Sequence, residues 1–176
     1  MEVAKYCDIG DRSSNEDFVL EVNSEEGGLF IVADGLGGHQ NGDIASKCVA
    51  ETMRDFFLKG FTLDEEYMLN MFNEAQSKLL SLSERYKADM RTTVVALLVY
   101  DNKAIWGNIG DSRLYYIKKR KISSITPDHS VAYISYLNKE IDYDEIKDSP
   151  DQNVLIRSMG KEDRYKPEIS SLIEIE

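Results

Sequence analysis

Leu29-Phe30-Ile31-Val32-Ala33-Asp34-Gly35-Leu36-Gly37-Gly38-His39 is the stretch on which the fold turns. Five consecutive apolar residues, too few for an ordinary helix, read as a buried strand. The run stops at an aspartate and then glycines, which permit backbone paths barred to other residues. Upstream, Phe18-Val19-Leu20-Glu21-Val22 reads as a second strand, and the polar segment Asn23 to Gly28 joins the two as a turn.

Two helices are predicted downstream. Asp43 is placed to cap the first, whose apolar residues Ile44, Val49, Met53, Phe56 and Phe57 keep helical spacing up to a stop near Gly60. The second starts near Asp64 and sets Met68, Phe72, Ala75, Leu79 and Leu82 on one face. Both faces read as core. From Thr92 the period shortens. Thr92 to Tyr100, Ala104 to Ile109 and Leu114 to Lys118 read as strands separated by turns at Asp101-Asn102 and Gly110-Asp111. Val131 to Asn138 and Tyr143 to Lys147 suit short helices, and Val154 to Ile156 and Ile169 to Ile175 suit extended segments. Short turns between adjacent strands imply a largely antiparallel sheet in one mixed domain.

Composition supports one globular domain over the 176 residues, with 42% hydrophobic and 30% charged residues. The net charge of −11 opposes nucleic acid binding, which needs basic surface to displace counterions. It suits either a solvated acidic surface or carboxylates gathered around divalent cations. No apolar run approaches the roughly 18 residues that span a bilayer, and the N-terminus has no secretory pattern. Two cysteines, Cys7 and Cys48, form neither a disulfide framework nor a metal motif. The expectation is a reduced, cytoplasmic protein with neither nucleic acid nor membrane as partner.

Three segments gather carboxylates where a core would exclude them: Gly10 to Asp17, Asp34 to His39, and Gly110-Asp111-Ser112-Arg113. The last two follow buried strands directly, and a strand end delivers a side chain to a fixed point. Carboxylate oxygens are what Mg²⁺ and Mn²⁺ prefer. Each Asp-Gly or Gly-Asp pair alone also reads as a plain turn. Arg12 alone reads as a surface cation pairing with Asp11 or Glu16, Arg113 as a brace for the turn after Asp111, and His129 as a residue fixing its loop through hydrogen bonds. His39, after two glycines, reads as structural more readily than as a general acid.

The order of these segments resembles the metal-dependent protein phosphatases of the type 2C kind. The likeness rests on Gly10-x-Arg12-x-x-Asn15-Glu16-Asp17, Val32 to His39, Thr92-Thr93, Ile109 to Arg113, Thr126-x-Asp128-His129-Ser130 and Asn153 to Gly160. The bacterial branch is most similar. The resemblance implies an α+β fold of two packed, mainly antiparallel sheets flanked by helices, forming a single domain over residues 1–176. It implies a protein serine/threonine phosphatase that hydrolyses phosphoserine or phosphothreonine with a metal-activated water and no phosphoenzyme. Its substrates are phosphoproteins of the kind a serine/threonine kinase produces. By the same resemblance Asp34 bridges two Mn²⁺ or Mg²⁺ ions, the Gly35 carbonyl ligates one, and Glu16 and Asp17 hold metal-bound water or a metal edge. Asp111 holds a third, weaker ion, Arg12 clamps the substrate phosphate, and Val131 to Asp148 forms a flap beside it.

Two departures accompany the likeness. Arg91 precedes Thr92-Thr93 where the family usually has glycine, and Leu36 stands where eukaryotic members often have a histidine. No Ser-Asp-Gly or Asp-Asn segment follows Asp111, although the family places two further metal-binding aspartates in such segments. The expectation is therefore a C-terminally incomplete domain. An alternative is a catalytically inactive, phosphatase-like binding or regulatory module.

Overall fold

The computed structural model describes residues 1–10, 12–24, 27–36 and 41–175. Its largest feature is a six-stranded sheet built from β1 (Asp17–Asn23), β2 (Gly27–Asp34), β3 (Val94–Tyr100), β4 (Lys103–Ile109), β7 (Glu168–Ile169) and β8 (Ile173–Glu174). The order is β1-β2-β3-β4, with β7 and β8 both pairing with β4. Every pairing is antiparallel, as the short turns predicted.

The register decides where the chemistry lies. Val19 faces Val32 and Asp17 faces Asp34, so the last residue of β2 meets the first of β1. β3 and β4 start and end at the same edge, with Val94 opposite Ile109. The C-terminal end of β2, the N-terminal end of β3 and the C-terminal end of β4 thus share one rim of the sheet.

One sheet face is covered by α1 (Gly42–Phe57) and α2 (Glu65–Tyr86), which pack together. Leu29, Ile31 and Ala33 of β2 and Ala96, Leu98 and Ile105 of the neighbouring strands meet Val49, Met53, Met68, Phe72 and Leu79 there. The predicted helical faces are the buried ones, with Ile44, Phe56 and Leu82 at their margins. The apolar run of β2 is fully buried on this side, and among the described residues no helix lies over its other face. Val32 there is 41% exposed.

Helix ends differ in detail from the prediction. Asn41, at φ 122°, is the N-cap of α1, and Asp43 sits in the first turn, where its charge still favours the positive helix end. Asp64 caps α2 as expected, accepting from the Tyr67 N–H at 2.7 Å. A second, two-stranded sheet pairs β5 (Tyr115–Lys118) with β6 (Lys121–Ile125), a strand that the periodicity missed. A short helix, α3 (Val131–Leu137), and a 3-10 turn over Tyr143–Asp148 follow. Three tyrosines, Tyr133, Tyr136 and Tyr143, pack in series across them.

Candidate active site

Asp34 ends β2, and its peptide groups are tied to the strand beside it. Its N–H donates to Thr93 Oγ1 at 3.2 Å, while its carbonyl accepts from the Thr93 N–H at 2.9 Å and from Thr92 Oγ1 at 2.8 Å. Thr93 Oγ1 lies 2.6 Å from Ser112 Oγ, on the loop after β4. One threonine side chain therefore couples the Asp34 backbone to the Asp111 loop.

Gly35 continues the path and allows a close approach that no other residue would. A Cβ there would lie 2.1 Å from the Gly42 carbonyl oxygen at the start of α1. The Gly35 N–H donates to the Glu16 carbonyl at 3.0 Å, and Ser46 of α1 donates to the same carbonyl at 2.6 Å. The carboxylate of Glu16 lies against Gly42, whose Cβ, were there one, would meet Glu16 Oε1 at 3.0 Å. Glu16, Asp17, Asp34 and Gly35 thus converge between the rim of the sheet and the start of α1.

Electrostatics follows from that convergence. The Asp34 carboxyl is pushed up to about 6, first by burial, then by Asp17 and to a lesser degree Asp111, with the Arg12 guanidinium opposing the rise. Arg12 Nη1 stands 3.9 Å from Asp34 Oδ1, so its nearest described acid is Asp34 rather than Glu16; Asp11, the other expected partner, lies outside the described residues. Burial raises Asp111 as well, with Asp128 adding and Arg113 subtracting. Carboxylates that Arg12 and Arg113 offset only in part therefore gather at this rim.

The donors are oxygens, which fits a hard divalent ion better than a soft one. Among the described residues, no three His, Cys, Asp or Glu side chains stand close enough to grip an ion as they are. A site of one or two carboxylates, a backbone carbonyl and water matches how Mg²⁺ in particular is usually bound. The residues fit such an ion on those terms.

Further contacts fix the loops around the rim. The Gly110 N–H donates to His129 Nδ1 at 3.1 Å, and the His129 N–H returns a bond to the Gly110 carbonyl at 2.9 Å. A nitrogen that accepts must be unprotonated, so the neutral ring carries its proton on Nε2, 3.1 Å from Glu168 Oε2. Burial lowers the His129 pKa in keeping with that neutral ring. Arg113 reaches the buried Asp128 carboxylate through two bonds, at 2.6 and 2.5 Å, and so braces this loop. Arg91 forms a two-point pair with Asp89, which Lys161 joins at 3.3 Å, while its carbonyl accepts from the Leu36 N–H. Sequence spacing could not single out Thr93, Ser112 or Asp128, because their partners lie 15 or more residues away. His39, weighed as an acid, lies outside the described residues, as do Gly37 and Gly38.

Comparison with known proteins gives this arrangement a context. Residues 8–162 match the family described as protein phosphatase 2C. The chain is 29% identical to protein phosphatase PhpP of Streptococcus pneumoniae, over 98% of this chain and 73% of that one. The structure superposes on the serine/threonine phosphatase Stp1 from Staphylococcus aureus with a TM-score of 0.80 and 28% identity, over 94% of this chain and 67% of that one. It is also similar to the catalytic domain of the serine threonine protein phosphatase PstP in complex with two manganese ions, with a TM-score of 0.76 and 25% identity, over 94% of this chain and 68% of that one.

Proposed function

This chain belongs to the protein phosphatase 2C family, and on that footing we propose that it hydrolyses phosphoserine and phosphothreonine in proteins. The observation that carries the reading is the meeting of Asp17, Asp34, Asp111 and Arg12 at one rim of the sheet. Asp34, the Gly35 carbonyl, Asp17 and Glu16 would hold Mn²⁺ or Mg²⁺, with Asp111 serving a further ion. When bound, such ions supply an acidified water at neutral pH and offset charge at phosphorus.

The protein's own groups do the rest. Arg12 offers a planar fork of N–H donors that matches two phosphate oxygens at once and steadies the charge they carry in the transition state. Its 63% exposed side chain is free to meet a bulky phosphoprotein. Asp34 must lose its proton before it can serve as an anionic ligand, and the residues that raise its pKa also set the pH at which it does so. Thr93 and Ser112 hold the Asp34 and Asp111 segments in mutual register. Leu36, half-buried, offers no proton to a leaving alkoxide, so that proton would come from water or another group.

A second reading has one observation in its favour: no ready-made cluster of three ligating side chains among the described residues. It is a phosphatase-like module that binds phosphoproteins without turnover. Hydrolysis of a phosphothreonine peptide in Mn²⁺, stopped by EDTA and absent in Asp34→Ala, supports the enzyme. Peptide binding without phosphate release at millimolar Mn²⁺ replaces it with the module.

A further inference from the structure

The β5–β6 hairpin meets the loops above at its base, where the Tyr115 hydroxyl accepts from Arg113 at 3.3 Å, while its turn lies at the far end. Between Asp111 and Asp128 the sequence contains no acidic residue but five cations, in a chain whose net charge is −11. Four of the five are consecutive, Lys118-Lys119-Arg120-Lys121, and form the hairpin end. Lys118 pairs with Lys121, which leaves Lys119 and Arg120 as a two-residue turn. Both are left-handed, at φ 51° and 61°. Asn-Gly is the usual choice in such a turn, because other residues are strained there. Two long cations thus occupy a position to which local backbone preference would assign neither.

Next to the turn the exposed surface is apolar. Ile117 and Ile122 face each other across the ladder and are 60% and 57% exposed, and Tyr115 on the same strand is 45% exposed. Lys119, Arg120 and Lys121 are exposed as well. An acidic peptide would need the cations but not the isoleucines. A surface that is both anionic and able to take in aliphatic side chains uses both.

We propose that this hairpin end rests on an anionic lipid surface, with Lys119, Arg120 and Lys121 at the headgroups and Ile117, Ile122 and Tyr115 at the acyl boundary. No spanning segment is needed for such contact, because basic and apolar groups presented together hold a protein in the interface. The expectation that a membrane is no partner rests on the lack of a spanning run and of a secretory pattern, neither of which bears on contact of this kind. Acidic residues elsewhere on the protein do not cancel the attraction, since charges beyond about 10 Å are largely screened at about 0.1 M salt. Tyrosine is at home at that depth.

Co-sedimentation with vesicles tests the assignment. At about 0.1 M salt the whole chain partitions onto phosphatidylcholine vesicles containing roughly one third phosphatidylglycerol, and not onto phosphatidylcholine alone. Lys119→Asn/Arg120→Gly installs a more favourable turn, so the fold is kept or tightened while two cations leave. Partition then falls roughly 25-fold, at about fivefold per cation near the surface. Ile117→Ser/Ile122→Ser keeps every charge and lowers partition several-fold; circular dichroism checks that each variant stays folded. Equal binding to neutral and anionic vesicles overturns the proposal. So does binding that ignores the isoleucines and is competed away by polyglutamate, which makes the hairpin a site for acidic polypeptides.

Discussion

Asp17 and Asp34 are direct partners across the β1–β2 ladder, so two carboxylates share one face at the rim of the sheet. The cost of that placement falls on Asp34, whose carboxyl is pushed up to about 6, first by burial and then by Asp17. In the unfolded chain the same group titrates near 4. Its anion is therefore disfavoured by folding, with a penalty that is absent below pH 4 and complete above pH 6. The side chain is 35% exposed, so solvent screening reduces the nominal effect to about 1 kcal/mol. Asp34→Asn should stabilise the metal-free protein by about that amount at pH 7.5 and by nothing at pH 4, while removing turnover. Urea melts in EDTA at both pH values decide it, and a wild type more stable than the variant at pH 7.5 contradicts the assignment.

The same carboxyl sets a pH dependence for metal binding. An ion that needs the Asp34 anion competes with its proton below about pH 6. Mn²⁺ affinity measured by calorimetry should therefore fall as pH drops from 7 to 5, approaching tenfold per pH unit at the lower end, with uptake of Mn²⁺ releasing protons. In Asp34→Asn the remaining affinity should be weak and its slope with pH flatter. An affinity for wild type that is constant over this range excludes Asp34 as a ligand.

Much of this was legible in the chain, and what was not has a common cause. The apolar run before Asp34 and the alternating strands after Thr92 are local patterns, so β2, β3 and β4 could be read directly. The carboxylates at their ends could be singled out for the same reason. Burial on both faces of β2 could not, because it depends on what covers the sheet, and Val32 is in fact exposed. Strand β6 was missed because Lys121-Ile122-Ser123-Ser124-Ile125 lacks strict alternation, and a register shift in the ladder matches that irregularity. The cap of α1 was placed two residues late because Asn41 takes a left-handed conformation that its neighbours do not announce. Thr93 to Ser112 and Gly110 to His129 are contacts between elements distant in sequence, and no periodicity encodes them.

Arg12 reaches Asp34 from an exposed loop, so its charge and its geometry can be tested separately. Lysine keeps the charge but cannot present two parallel donors to a phosphate. Arg12→Lys should lower kcat/KM for a phosphothreonine peptide about tenfold to hundredfold, mainly through KM, with Mn²⁺ affinity unchanged. Steady-state kinetics beside calorimetry separate the two quantities. Equal KM values for variant and wild type would remove Arg12 from the phosphate site.

The Thr93 side chain touches both the Asp34 backbone and Ser112. Its hydroxyl is fully buried, so removing it leaves the Asp34 N–H and the Ser112 hydroxyl each short of a partner. Loss of a buried hydrogen bond of this kind costs about 1–3 kcal/mol. Thr93→Val keeps the shape of the side chain, so cavity effects stay small and the loss is one of hydrogen bonding. The expected result is a Tm several degrees lower, with weaker Mn²⁺ binding because Asp34 and Asp111 are no longer held in register. Thr93→Ser restores the hydroxyl and should recover most of the metal affinity even where the lost methyl lowers stability. That split distinguishes alignment of the carboxylates from general loosening of the core: if serine fails to rescue Mn²⁺ binding in a folded protein, Thr93 serves packing alone.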